Sequence, residues 1–266
     1  MEANGTRLLQ AVQHGPVAHR VETLSVPAFW QDYLGLQPWV EPGPLDWLTL
    51  EEHRLRAVTG GAIYWDGLEP SLQAARSRLA YYPRDVWLYL LAAQWSRIGQ
   101  EEPFVGRAGS VSDELGSAVI AARLAGALMR LCFLMERQYA PYSKWFGTAF
   151  ARLACAGEMM PPLRAALASA GWQEREAALG RALELAARMH NRLGLTQPLP
   201  ERVSPFHGRP FNVIHGEQFA ESLAAQISDP RVRALPPNVG SVNQWVESVD
   251  VLDNVKLCGR LRGVYG

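Results

Sequence analysis

The sequence predicts a mainly α-helical protein, a helical bundle domain with a small N-terminal α/β remnant, and three observations carry that reading. From Leu72 onward, apolar residues recur at three- and four-residue spacing in one segment after another. Thr49 with Glu52 and Ser110 with Asp113 have the spacing of capping boxes, while Gly60-Gly61 and Gly194 supply stops. Near the N-terminus the stretch RVETLSV, Arg20 to Val26, alternates enough to be a strand. The chain therefore divides into a small α/β subdomain over residues 1–70 and a helical domain over residues 71–266 that carries the ligand pocket.

After the strand, AFWQDYLG forms an aromatic turn of helix and QPWVEPGP a connector. A helix beginning near Thr49 stops at Gly60-Gly61, before AIYWDG, which has the pattern of a short strand or turn. Leu72 to Tyr81 is a helix ended by Pro83, and Val86 to Ile98 is apolar around most of its circumference, which makes it central. A long helix runs from the second capping box to about Tyr139. Further helices are expected at Lys144 to Ala156, Pro161 to Ala170, Gln173 to Leu193, Gly216 to Ile227 and Ser241 to Leu252, with a loop from Pro198 to Pro210.

Composition narrows the function. A chain of 266 residues with 48% hydrophobic residues can bury a sizeable core, and its 26 basic and 26 acidic residues cancel. That balance argues against a general nucleic-acid binder and against a membrane-surface protein. Cys132, Cys155 and Cys258 are odd in number and widely spaced, so neither a disulfide framework nor a CxxC metal site is supported, and a reducing cytosol is the expected compartment. The N-terminus lacks the pattern of a secretion signal, and no run of about 18 apolar residues suggests a membrane span. Motifs for dinucleotide binding, a P-loop, a nucleophile elbow or a zinc helix do not occur, so no metal and no cofactor is expected.

The stretch from Trp95 to Trp145 places many ionisable groups inside segments that otherwise read as buried helix, which points to a lined pocket. Arg123, Arg130 and Arg137 fall seven residues apart and share one helix face. They suit either structural ion pairing or a guanidinium row that holds a carboxylate, phosphate or carbonyl. Glu101 and Glu102 lie in a break between two buried helices, close to Arg107, where a carboxylate acts as a general base if desolvated or as a structural ion pair if not. Tyr139, Tyr142, Lys144 and Trp145 cluster at a turn between helices, aromatic walls with one ammonium; Lys144, one of only two lysines, suits a Schiff base, stabilisation of an anion, or an ion pair with Glu136. His190, on the core-facing row Leu179, Leu183, Ala186, His190, is either a hydrogen-bonded core residue or the best imidazole for acid–base work.

The residues QWSRIGQEEPFVGR, VSDELGS, RLCFLMERQYAPYSKWFGTAFARL and GSVNQWVESVDVL resemble, over about residues 20–252, a bacterial family of uncharacterised proteins. In it a nucleotidyltransferase-like half precedes an all-helical domain of unknown function. The resemblance implies a helical substrate-side domain attached to a remnant of the nucleotidyltransferase sheet. Typical members carry, upstream, a Gly-Ser turn and paired aspartates that hold magnesium and nucleotide; the expectation is that this chain lacks them. Near the end, the family has acidic residues where Asn243 and Glu247 stand and Phe in place of Trp245.

Two functions follow as expectations. One is a metal-independent enzyme of the isomerase, cyclase or lyase type, moving protons on a small biosynthetic intermediate through Glu101, Glu102, Tyr142, Lys144 and His190. Arg107, Arg123, Arg130, Arg137, Tyr139 and Trp145 would bind the ligand. The other is a non-catalytic recognition subunit for a separate minimal nucleotidyltransferase. Self-association is a further possible partnership; nucleic acid and membrane are not expected partners.

Overall fold

A computed structural model describes Gly15 and residues 22–266. Arg20 and Val21, where the expected strand begins, lie outside the described residues. Its remainder is not a strand: Glu22 to Ser25 has no regular structure, and Ser25 caps a helix, α1 (Val26–Leu34), by accepting from the Ala28 N–H. Helices α2 (Pro44–Thr49), α3 (Glu52–Thr59) and α4 (Leu72–Arg78) follow, and AIYWDG forms neither helix nor strand. The expected cap is displaced. The Thr49 hydroxyl turns back to the Leu45 and Asp46 carbonyls and closes α2, while the Glu51 carboxylate accepts from the Arg54 N–H and starts α3.

The centre of the fold is α5 (Arg84–Glu101), followed by α6 (Phe104–Gly109) and α7 (Glu114–Met135). Asp113 caps α7 by accepting from the Gly116 N–H, at 2.8 Å. A short turn at Ser143–Trp145 leads into α8 (Phe146–Phe150), then α9 (Ala156–Ala168) and α10 (Trp172–Arg192). The expected break before Pro161 is not there: Pro161 and Pro162 lie inside α9. The Pro198 to Pro210 region contains one strand of a two-stranded antiparallel hairpin, β1 (Ser204–Pro205) with β2 (Asn212–Val213), Ser204 opposite Val213. Then come α11 (Gly216–Ala224), α12 (Pro230–Arg233), α13 (Val242–Trp245), α14 (Val249–Leu252) and α15 (Val255–Arg260). The single helix expected over Ser241 to Leu252 is thus two short ones. Arg97 donates to the Gln244 carbonyl, the group that the Ser248 N–H would take in a continuous helix.

α5 is buried on nearly every side and packs against both α7 and α11. Trp95 stacks on Phe219 of α11 with ring centres 4.3 Å apart, and His190 of α10 meets both rings edge-on. α7 is long and apolar enough to cross a bilayer, yet it packs against α5, α6, α9 and α10, the setting of a core helix.

The approach of α5 to α11 is closest at Gly99 and Gly216. A Cβ added to Gly216 would stand 2.8 Å from the Gly99 nitrogen and the Trp95 carbonyl oxygen, both backbone atoms that cannot step aside. Alanine usually stabilises a helix relative to glycine, but here overpacking outweighs that gain. Gly216→Ala should lose about 1–3 kcal/mol in urea denaturation; an unchanged or raised midpoint would show that the two backbones have room to separate.

Candidate functional site

A cavity of about 570 Å³ opens between α5, α7, the start of α3, the turn before α8 and the C-terminal segment through α13 and α14. Its lining combines apolar surface from Val119, Phe146, Val246 and Leu252 with charged groups of both signs. Such a mixture suits an organic ligand held by a few oriented polar contacts.

The cationic side comes from α5 and α7. Arg130 reaches Glu52 at 3.3 Å and lies over the Phe146 ring, and Arg123 pairs with Glu101 at 3.1 Å. Arg97 differs: among the described residues it has no carboxylate within ion-pair distance and donates only to the Gln244 carbonyl. It is the guanidinium in this cavity with charge left to offer a ligand.

The acidic side holds a histidine. His53 Nδ1 is paired with Glu51 and its Nε2 lies 3.5 Å from Asp253, with the Tyr142 ring edge-on 5.8 Å away. Glu51 also caps α3, so the helix start fixes the carboxylate and the carboxylate fixes the imidazole. Glu247 adds a further acid with no cation paired to it among the described residues.

Beneath these groups lies a closed amide network. Asn243 accepts from the Glu52 N–H at 3.0 Å and donates to the Leu50 carbonyl, while Gln244 donates to the Leu90 carbonyl and to Gln94, which donates to the Ala127 carbonyl. These bonds fasten the C-terminal segment across α3, α5 and α7, so residues far apart in sequence meet at one cavity. The buried Glu52 carboxylate accepts from Tyr82, Arg130 and the Ala140 N–H, and burial pushes its pKa above the ordinary carboxylate value in spite of Arg130.

Of the residues singled out in the sequence, Arg123, Arg130 and Tyr142 line the cavity, and Glu101 stands behind Arg123. The others lie elsewhere. Arg137 falls past the end of α7 with φ +53°, which swings it off the arginine face and over the Tyr81 and Trp87 rings. Tyr139 is buried with its hydroxyl on the Leu79 carbonyl, Arg107 covers the Phe104 ring, and Lys144 lies over the exposed Trp145. Glu136 accepts from the Ala154 and Cys155 N–H groups rather than pairing with Lys144. His190 is a core residue bonded to Thr196 at 3.0 Å, and burial lowers its pKa to about 4, which keeps it neutral at ordinary pH. Glu102 is also buried; it accepts from the Ile214 and Gly216 N–H groups at the entry to α11.

Sequence reading missed Glu51, His53, Arg97 and Asp253. Glu52 was legible only as a helix-start residue, and His53 shares that start. A signal for Arg97 was present: it is the sole charged residue between Asp85 and Glu101 on the most buried helix. Nothing local marks Asp253, whose contact with His53 spans most of the chain.

A family model described as a domain of unknown function (DUF4037) matches residues 47–146. The match takes in Glu51, His53, Arg97, Arg123, Arg130 and Tyr142, while the segment bearing Asn243, Glu247 and Asp253 lies outside it. No curated protein and no solved structure matches the chain.

Glu102 gives a pH test of this packing. Burial raises its pKa to about 7 against the pull of the two amide bonds. Between about pH 4.5 and 7 the folded chain retains a proton that the unfolded chain has lost, so this group's contribution to stability falls as pH rises, by roughly 3 kcal/mol in all. His190, depressed to about 4, acts in the opposite sense over much of that range, so the informative quantity is the difference between parent and Glu102→Gln. Urea midpoints of the parent should fall relative to those of the variant as pH rises from 5 to 7. Parallel pH curves would show that Glu102 ionises normally.

Proposed function

We propose that the cavity binds a small organic anion and that the protein acts on it by proton transfer, with His53 as the acid–base group. The observation that carries this reading is His53 held between Glu51 and Asp253 on the wall of a partly apolar cavity that also contains Arg97. The bond from Nδ1 to Glu51 orients the ring and supports the imidazolium that forms when Nε2 takes a proton. Arg97 holds a carboxylate or phosphate group and favours negative charge developing on the substrate, while Arg123 and Arg130 beside it are engaged by their own carboxylates. The chemistry available is of the isomerase, cyclase or lyase type, in which one carbon or heteroatom loses a proton and another gains it.

A second reading, substrate recognition on behalf of a separate nucleotidyltransferase, has support from one feature. Val111, Leu115 and Val119 are exposed along the approach to α7 and on its first turns, and Val119 also lines the cavity, so an apolar row leads to its edge. A partner seated there would complete the cavity wall. The two readings part on turnover: the first requires product from this chain alone, the second requires binding without it.

Gly126 allows a clean test of the cavity. It lies mid-helix on α7, lines the cavity, and an added Cβ would meet nothing within 4 Å, so a larger side chain projects into open space. In a thermal-shift screen of small carboxylic acids, amino acids and organic phosphates, the parent should be stabilised by at least one class. Gly126→Leu and Arg97→Ala should both lose that response and still melt cooperatively. With a responding compound in hand, His53→Gln should keep binding and lose turnover by about 10²–10⁴-fold. A ligand response that persists in Gly126→Leu would place binding elsewhere.

A further inference from the structure

Away from the cavity, the hairpin and the start of α11 bring three side chains into a relay. Ser204 Oγ lies 3.0 Å from His215 Nε2, and His215 Nδ1 lies 3.3 Å from Glu217 Oε1. One ring nitrogen therefore faces a hydroxyl and the other a carboxylate, the order of contacts that turns serine into a nucleophile. Ser204 is exposed, so its hydroxyl is open to a reactant.

The histidine is held in place by unusual means. His215 is in the left-handed region, φ +60°, where a residue with a side chain persists only if its surroundings enforce it. Glu102 enforces it from below, accepting from the N–H groups on either side, Ile214 at 2.6 Å and Gly216 at 3.0 Å. Gly216 is in turn locked against Gly99 of α5. Ser204 is set by pairing of β1 with β2, whose last residue, Val213, stands two positions before His215. Backbone strain, a buried carboxylate and a closed helix contact thus all fix the imaging of one imidazole on one hydroxyl.

We propose that Ser204, His215 and Glu217 form a second catalytic site, in which Ser204 is a nucleophile toward activated acyl esters. Ser204 Oγ bonds to the carbonyl carbon while its proton passes to His215 Nε2 and the carbonyl π pair moves onto oxygen. The intermediate collapses, the alkoxide leaves with the proton from His215, and an acyl-serine remains. Water then repeats the sequence, releasing the acid and restoring Ser204. Glu217 and Glu102 are positioning residues, the first through the imidazole Nδ1 and the second through the backbone of His215.

A fluorophosphonate probe tests this on the full chain, since it needs only the nucleophile: the phosphorus–oxygen bond forms, fluoride leaves, and His215 takes the proton. Peptide mass mapping should place the label on Ser204, and Ser204→Ala should abolish it. His215→Asn, which tolerates the left-handed backbone, and Glu217→Gln should both melt like the parent; the first should slow labelling by about 10²-fold or more, and the second should slow it measurably. Parent protein unlabelled at Ser204, or labelling equally fast in either slow variant, would overturn the proposal.

Discussion

One buried carboxylate ties the fold together. Glu52, at the first position of α3, accepts from Tyr82, from Arg130 on α7 and from the Ala140 N–H, while its own N–H donates to Asn243. Those partners span four separate parts of the chain. A buried carboxylate is costly unless its oxygens are satisfied, and removing a single partner leaves the others facing an unpaired group. The three contacts to the carboxylate therefore stand or fall as a set, and the backbone N–H of the same residue adds Asn243 to them. His53 follows Glu52 in the chain, so the same set determines where the imidazole meets Asp253 and how close it lies to Tyr142.

Both Glu-Glu pairs join backbone groups to the cavity. In each, the second residue is buried and holds backbone N–H groups: Glu52 that of Ala140, Glu102 those of Ile214 and Gly216. The first residue in each pair meets a side chain that lines the cavity, Glu51 meeting His53 and Glu101 meeting Arg123. The division is complete only in the second pair, since Glu51 also caps α3 and Glu52 also pairs with Arg130 of the cavity. This division also connects the cavity to the hairpin, because Glu101 and Glu102 lie at the junction of both.

Periodicity made the helices legible, and α5, α7 and α10 fall within a few residues of where spacing put them. What it could not show were breaks made by distant partners. At the break between α13 and α14 the free Gln244 carbonyl is taken by Arg97, which is far away in sequence, and no propensity near Val246 announces it. The candidate site follows the same rule. Arg123, Arg130 and Tyr142 were visible because one face of α7 and one aromatic turn carry them, whereas the His53–Asp253 contact exists only once the C-terminal segment has docked through Asn243 and Gln244. Buried carboxylates such as Glu102 look like catalytic bases in sequence because both roles place an acid in an apolar setting. Only the partners distinguish them.

The charge balance of the cavity bears on what it could accept under the proposed function. Arg123 and Arg130 are already compensated by Glu101 and Glu52, which leaves Arg97 as the unspent cation. Glu51, Glu247 and Asp253 line the same space, with His53 between two of them. A ligand with several negative charges would meet one available guanidinium and three carboxylates, and the repulsion would exceed what a single fork-shaped contact returns. A monoanion bearing a neutral or cationic remainder meets complementary charge along its length. The apolar lining from Val119, Phe146 and Leu252 then rewards a carbon framework between the two ends. The cavity therefore favours a zwitterion or a monoanionic organic acid over a polyphosphate, and it does so through carboxylates that the fold itself has put in place.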